Sequence, residues 1–142
     1  MALDPPLPGQ VIGYAYLWWN EARVGREDGV KDRPCDIVLT RQTKQGHTMV
    51  YVLPITHTPP LSQEDGIEIP PATKQRLGLD TDRSWIITTE LNRFAWPGPD
   101  IRPTASGDYI YGYLPEKLMQ LVLAQVRRHA DKKELNTIPR TE

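Results

Sequence analysis

The sequence predicts a mainly β fold with helices, in which a small, strongly bent sheet or barrel is closed by a helix near the C-terminus. Three observations support this class. About five or six short runs rich in aromatic and β-branched residues alternate with turn residues. Helical periodicity extends over several turns in one segment near the C-terminal end. Fourteen prolines break the chain into short pieces, which argues against a long helical bundle.

The predicted strands are short and are bounded by turn residues. They cover residues 11–19, 36–42, 48–56, 67–70, 84–90 and 109–114. The second and third strands are joined by the turn KQGH, so the two form a hairpin. Residues 20–32 carry two glycines and many charges without periodicity, which predicts a long loop.

Two helices are predicted. PATKQRLGL, residues 71–79, begins with a proline and has Gly78 near its end, which fits one or two helical turns. Residues 115–134 form the longer helix, with Leu118, Leu121 and Val122 at helical spacing. The chain is expected to be a single domain over residues 1–142, with a loose arm at 1–8 and a frayed tail at 135–142.

Composition excludes several functional classes. Apolar residues make up 39% and charged residues 25%, which is typical of a globular domain. The formal net charge is −1, so no global positive field attracts nucleic acid or an anionic membrane, and phosphate binding would require a local patch. The longest apolar stretch, around GYAYLWW, is too short to cross a bilayer, and no signal peptide is expected, so we predict a cytoplasmic protein without membrane contact.

Cysteine and histidine usage argues against a metal or another cofactor. Cys35 is the single cysteine, which excludes an intramolecular disulfide and a cysteine metal cage, and its apolar setting predicts a small core residue. The histidines at 47, 57 and 129 lack ligand spacing, so we predict no metal site.

LPITHTPP, residues 53–60, ends an apolar strand with polar side chains. Thr56 and His57 follow the strand, and Pro59 and Pro60 stop it. One interpretation is an ordinary strand end entering a turn, and the other is a strand that delivers polar groups to a site. Strand alternation would place Thr56 and His57 on opposite faces, so only one would easily point at a given cleft.

GREDGVKDRPC, residues 25–35, contains the first candidate phosphate ligand. Pro34 biases Arg33 toward an extended conformation, and a guanidinium held at a strand entrance matches a phosphate. The alternative is a solvated arginine paired with Asp28 or Asp32. Glu27 and the other loop acids would supply a general base or merely solvate the loop.

ELNRFAWPG, residues 90–98, combines a basic residue with aromatic ones. Phe94 and Trp96 would stack on bases if this segment binds single-stranded nucleic acid, and they would equally serve as core packing. Arg93, together with Arg26 and Lys31 of the charged loop, is a candidate contact for RNA.

Taken together, these segments resemble the MazF/PemK family of toxins from bacterial toxin–antitoxin systems. The resemblance covers roughly residues 9–130, and its segments are Gly9-Gln10-Val11, Arg33-Pro34 with the apolar strand after it, Leu53-Pro54-Ile55-Thr56, ELNRF at 90–94 and the terminal helix. The ordered pair of Arg33 and Thr56 is its most specific part.

The resemblance implies a small SH3-like β-barrel, usually a homodimer, that is controlled by a cognate antitoxin protein and inhibits growth. It also implies a sequence-specific, metal-independent endoribonuclease that acts on single-stranded RNA. Arg33 would contact the scissile phosphate, and Thr56 would donate a hydrogen bond to the developing phosphorane. The RNA's own 2′-hydroxyl would attack, leaving a cyclic phosphate and a 5′-hydroxyl.

Other positions match the family less closely. Glu27 matches an acidic loop position of some members, and Arg93 matches a later basic position. His57 is specific to this sequence and is assigned to proton transfer. Some relatives have an acidic residue where this chain has Ala95, and the insert at 58–80 is longer than expected. These departures leave open an alternative, a non-catalytic SH3-like barrel that binds a protein partner or nucleic acid. A metabolic enzyme has no motif in its favour.

Overall fold

Eight strands and three helices form the fold, which confirms the mainly β prediction with helices. The computed structural model describes residues 4–25 and 31–140. In chain order the elements are β1 (Gln10–Tyr14), α1 (Trp19–Arg23), β2 (Arg33–Gln42), β3 (Thr48–Thr56), a 3₁₀ turn (Gln63–Asp65), β4 (Gly66–Glu68), α2 (Pro71–Leu77), β5 (Trp85–Ile87), β6 (Glu90–Trp96), β7 (Ile110–Tyr113), α3 (Glu116–Asp131) and β8 (Asn136–Pro139). Among these helices, none is long and apolar enough to cross a bilayer.

Strand β3 organises the sheet because three strands pair with it. The main path runs β4-β5-β3-β2-β1-β7, and β6 lies between β3 and β8. One edge of β3 pairs with β2, while the other pairs with β6 over residues 48–52 and with β5 at Ile55 and Thr56. All pairings are antiparallel except that of β6 with β8. The change of partner along β3 bends the sheet into a small barrel-like shape.

Two hydrophobic cores lie on the two faces of this bent sheet. Neighbouring residues alternate between them, so Val11 belongs to one core and Ile12 to the other. The first core is covered by α3, which buries Leu118, Met119 and Val122 against it. The second core is rich in aromatic residues and contains Cys35, which is fully buried as predicted.

The first predicted strand is shorter than expected. It ends at Tyr14, and the sequence continues into α1 where the prediction placed strand and loop. The Glu21 side chain accepts a hydrogen bond from the Trp18 backbone N–H at 3.0 Å, an N-terminal interaction that favours the helix. Tertiary contact contributes as well, because the Trp19 N–H donates to the Glu90 carboxylate at 2.9 Å.

The predicted strand at 84–90 covers β5 and reaches only the first residue of β6, so most of β6 was not predicted. The break between β5 and β6 falls at Thr88 and Thr89, where β3 changes its pairing partner. The Thr88 hydroxyl donates to the Gln125 side chain of α3 at 2.7 Å, and its N–H donates to the Asp65 carbonyl. These bonds satisfy polar groups at the break between the two strands.

The described parts of both predicted loose ends, residues 4–8 and 135–140, make ordered contacts, and residues 1–3 and 141–142 lie outside the described residues. Within the arm, the Leu7 N–H donates to the Gln10 side chain at 2.7 Å, and the Tyr109 hydroxyl donates to the Asp4 carbonyl at 3.3 Å. The predicted frayed tail is wrong for residues 136–139, which form β8 alongside β6. β6 and β8 are separated in the sequence by the whole of α3, so their parallel pairing cannot be predicted from the local sequence pattern. This is the reason for the error.

Arg140 anchors the end of this tail. It is only 6% exposed, and its guanidinium donates to the Ala15 carbonyl at 2.7 Å and to the Asn92 side chain at 3.2 Å. It also pairs with the Asp100 carboxylate at 3.0 Å. A cation buried with these partners joins β8 to β6 and to the segment that follows β1.

We expect Arg140→Met to lower the free energy of unfolding by about 3–5 kcal/mol. The variant keeps the side-chain volume but leaves the largely buried Asp100 carboxylate without its nearest cation. Asp100 would retain only a longer contact with Arg102, at 3.9 Å. Urea unfolding measures the change, with exposed Arg128→Met as the matched control. A loss of stability no larger than that of the control would contradict this role for Arg140.

We also expect Asp36→Asn to alter how stability depends on pH. Asp36 is fully buried opposite Val11 and Leu53, and its oxygens have no hydrogen-bond partner among the described residues. Burial raises the pKa of Asp36 well above its ordinary value. The folded state therefore favours the protonated acid, and the wild type loses stability as pH rises above about 4, by up to ~1.4 kcal/mol per pH unit.

The amide introduced by Asp36→Asn does not ionise, so the variant should be close to the wild type near pH 4 and increasingly more stable than it toward pH 7. Urea unfolding of both proteins across this interval measures the difference. Exposed Asp131→Asn is the control for a change of net charge. Parallel stability curves for the wild type and Asp36→Asn would show that Asp36 ionises normally in the fold.

Candidate functional site

A cavity of about 380 Å³ lies where β2 begins and β3 ends. Its walls come from these two strands, from the end of α2 and the loop after it, and from β7. The lining residues are Lys31, Asp32, Arg33, Pro34, Ile55, Thr56, His57, Thr58, Lys74, Gly78, Leu79, Asp80, Ser84, Ala105 and Tyr111. Four of the predicted site residues are therefore gathered in one place: Lys31, Arg33, Thr56 and His57.

Arg33 and Thr56 lie just beyond the last residues at which β2 pairs with β3. That pairing ends with Cys35 opposite Pro54, and Arg33 lies two residues before Cys35 while Thr56 lies two residues after Pro54. The Arg33 guanidinium donates to the Ile55 carbonyl at 3.2 Å, which ties the side chain to the end of β3. Arg33 and Thr56 both line the cavity.

The Arg33 side chain is held but retains unused donors. Its guanidinium carbon lies 5.0 Å from the centroid of the Trp18 ring, a cation–π contact. Its Nε is buried without a hydrogen-bond partner in the described parts of the chain. Asp32, a proposed partner of Arg33, pairs instead with Arg102 at 3.2 Å. Asp28 lies outside the described residues. The buried Nε is out of reach of a ligand, so the Nη2 group, which has no hydrogen bond to the described residues, is the donor that can meet an anion.

Thr56 both ends the strand and supplies a group to the cavity. Its hydroxyl oxygen accepts a hydrogen bond from the Thr58 N–H at 3.2 Å, which turns the chain just before the two prolines. The hydroxyl hydrogen remains available as a donor. Both interpretations of LPITHTPP are therefore compatible. The prediction that only one of Thr56 and His57 can face a given cleft is wrong, because strand alternation stops at Thr56 and both residues line the cavity.

A chain of polar contacts continues from His57 into the protein. His57 Nε2 lies 2.7 Å from Oδ2 of Asp80, and the Lys74 ammonium contacts the other oxygen of that carboxylate. Lys74 also donates to the Asp82 carbonyl and, at 2.7 Å, to the Ser84 hydroxyl. Lys74 is 4% exposed, whereas the side chains of His57 and Asp80 are 54% and 52% exposed. The network thus runs from the cavity surface to a buried cation.

The charges in this series of polar contacts favour the ionised form of Asp80. The hydrogen bond from Lys74 lowers the pKa of the Asp80 carboxyl, and the contact with His57 lowers it further. Three acceptors surround the Lys74 ammonium, which matches its three hydrogens. Lys74 therefore acts as a donor here, and it offers no lone pair that would activate Ser84 as a nucleophile.

Local sequence explains how Asp80 returns to Lys74. Pro71 occupies the start of α2, and Gly78 ends the helix in the left-handed conformation with φ +73°. The Gly78 and Leu79 N–H groups bond back to carbonyls of the last turn, which reverses the chain. Asp80 consequently lies over the side chain of Lys74.

Lys74, Asp80 and Ser84 were not predicted as site residues, although the sequence contains one signal for them. Lys74 lies one helical turn before Leu77, on the face of α2 that must be buried. A lysine at such a position requires an anionic or carbonyl partner nearby. The aspartate that follows the glycine cap was the obvious candidate.

His57, Asp80 and Asp82 offer ligand atoms within 4.8 Å of one another, and they are the one such group in the described residues. All three are exposed, and the Lys74 ammonium already occupies the Asp80 carboxylate. A positive charge in direct contact with the central ligand opposes the binding of a second cation. The donor set therefore does not fit a metal centre.

The remaining predicted site residues lie either outside the cavity or outside the described residues. Arg93 is in the middle of β6 between Tyr51 and Pro139, and it does not line the cavity. Trp96 pairs with Thr48 at the other end of β3, about 26 Å along the strand from Thr56. It is 9% exposed and packs on other aromatic rings, which matches the core-packing alternative. Arg26 and Glu27 lie outside the described residues.

Comparison of the chain with models of known protein families and with curated proteins finds no match. The resemblance to the MazF/PemK family stays a prediction that rests on the quoted segments.

We expect Lys74→Met to raise the pKa of Asp80 toward its ordinary value, because the variant removes the largest cause of its depression. A pH titration of the Asp80 carboxyl carbon by NMR measures the shift. Lys44→Met, at an exposed position in the β2–β3 turn, is the matched control and should leave Asp80 unchanged. An unaltered titration in Lys74→Met would show that the ammonium does not hold this carboxylate.

Proposed function

We propose that this protein is a metal-independent endoribonuclease that cleaves single-stranded RNA. The observation that carries the proposal is the meeting of Arg33, Thr56 and His57 at one cavity, since these side chains supply a cation, a hydroxyl donor and a proton carrier. Phosphodiester cleavage by an internal nucleophile needs these three functions and requires no cofactor.

A local positive charge supports phosphate binding despite the net charge of −1. Of the two acids that line the cavity, Asp32 pairs with Arg102 and Asp80 with Lys74. Neither carboxylate therefore neutralises Arg33 or Lys31, whose side chains are available to an anion. The Nη2 group of Arg33 can donate to a phosphate oxygen, and Lys31 adds positive charge at the cavity.

The chemistry follows from where negative charge develops. The 2′-oxygen of the RNA forms a bond to phosphorus while the bond from phosphorus to the 5′-oxygen breaks. His57 takes the proton from the 2′-hydroxyl, and the leaving 5′-oxygen takes a proton from solvent water. Thr56 donates to a non-bridging oxygen of the phosphorane, and Arg33 neutralises its charge. The products are a 2′,3′-cyclic phosphate and a 5′-hydroxyl.

The biological assignment rests on the resemblance. The ordered pair of Arg33 and Thr56 supports a toxin of a toxin–antitoxin system that inhibits growth by cutting RNA. A cognate antitoxin protein and a homodimer belong to this proposal. A C2 dimer would place two copies of the cavity on one symmetric assembly.

We expect purified protein to cut a diverse panel of long RNAs in EDTA at discrete positions, leaving 2′,3′-cyclic phosphate ends. Arg33→Ala and Thr56→Ala should each lower the cleavage rate by about 10²-fold or more, because each removes a donor to the developing charge. Arg41→Ala and Thr137→Ala, exposed positions outside the cavity, are matched controls that should cut like the wild type.

No cutting by folded wild-type protein across a panel rich in rare sequences would overturn the enzymatic proposal. RNA binding that persists without cutting, and that Arg33→Ala weakens, would identify the chain as a binding module instead. Equal loss of activity in the control variants would indicate general destabilisation, which thermal unfolding of each variant checks.

A further inference from the structure

His57 is the one proposed reactive group that lies in a loop, and its position depends on a single described partner. Arg33 and Thr56 are fixed by strand pairing, whereas His57 follows the end of β3 and is about half exposed. Its ring contacts Asp80 through Nε2 at 2.7 Å. A half-exposed imidazole without an anchor would sample several rotamers and both neutral tautomers.

Asp80 is a strong anchor because a buried cation holds it. The Lys74 ammonium contacts one carboxylate oxygen, and the other oxygen remains for His57. Lys74 itself is secured by the Asp82 carbonyl and the Ser84 hydroxyl. His57 is the exposed end of this series of polar contacts. It is therefore connected to the protein interior through Asp80 and Lys74.

The chemistry of the carboxylate determines which nitrogen of His57 carries the proton. An ionised carboxylate only accepts hydrogen bonds, so Nε2 must donate to it. The neutral ring then has its lone pair on Nδ1. Other charged groups at the cavity are Arg33, Lys31 and Asp32, and Asp82 lies near the ring, but none has a described hydrogen bond to the imidazole.

We propose that Asp80, held by Lys74, is a positioning residue that fixes His57 as the Nε2–H tautomer and leaves Nδ1 as the nitrogen that takes the 2′-hydroxyl proton. This inference rests on the proposed ribonuclease function for its catalytic consequence. The placement of the proton on His57 is testable without RNA.

The first test is the ¹⁵N NMR spectrum of the His57 ring at a pH where the ring is neutral. The wild type should show a protonated Nε2 and an unprotonated Nδ1. In Asp80→Asn the Lys74 ammonium should retain the amide oxygen, so the amide NH₂ faces His57 and donates to Nε2. The proton should then move to Nδ1, which reverses the two ¹⁵N signals.

Asp82→Asn is the matched control, since it removes the same charge two residues away and leaves the Asp80 carboxylate in place. Its ring spectrum should equal that of the wild type. A wild-type spectrum with the proton on Nδ1, or with both tautomers present, overturns the proposal even if a variant fails to fold.

The second test is the cleavage assay with the wild type and Asp80→Asn. Asp80→Asn should lower kcat by about 10²-fold with little change in KM, because the wrong nitrogen is protonated while the phosphate ligands are intact. Asp131→Asn, at an exposed position outside the cavity, is the control for this assay and should cut at the wild-type rate. A reversed tautomer with unchanged kcat overturns the positioning role, whereas a correct tautomer without any cleavage by the wild type overturns the ribonuclease function alone.

Discussion

The backbone hydrogen bonding of strand β3 is the constraint on which the rest of the structure depends. One edge of β3 pairs with β2, and the other edge is divided between β6 and β5. A buried strand must satisfy its N–H and C=O groups, so the division forces the sheet to bend where the partner changes. The same division leaves the end of β3, at Thr56, beside the start of β2, and the cavity forms at this junction.

A second constraint, the burial of the Lys74 ammonium, shapes the other wall of the cavity. Comparison of two free energies shows which contact determines the other. A buried ammonium without acceptors costs several kcal/mol, whereas an exposed ion pair contributes about 0–1 kcal/mol. The burial of Lys74 therefore determines where Asp80 lies, and His57 follows Asp80. The exposed pair of His57 and Asp80 is a consequence of the fold rather than a source of its stability.

Charge in this protein is arranged locally rather than globally. The net charge is −1, yet the acids at the cavity have cations of their own, which leaves Arg33 and Lys31 to an anionic ligand. The same principle operates in the interior, where Arg140 pairs with Asp100 and joins the C-terminal strand to the sheet. Asp36 is the exception, since its buried carboxyl has no hydrogen-bond partner in the described segments and its raised pKa favours the neutral acid.

Sequence alone determined the features that depend on neighbours in the chain. Alternation and turn residues predicted β3 over 48–56 and its hairpin with β2. The pair of Arg33 and Thr56 was predicted from the family resemblance, and both residues line the cavity. Only the tertiary structure decided the features that depend on distant contacts. These are the pairing of β8 with β6, the burial of Trp96 and the link from Lys74 through Asp80 to His57. Local pattern reports which face of an element is apolar, but a buried charge or an added strand finds its partner only once the chain has folded.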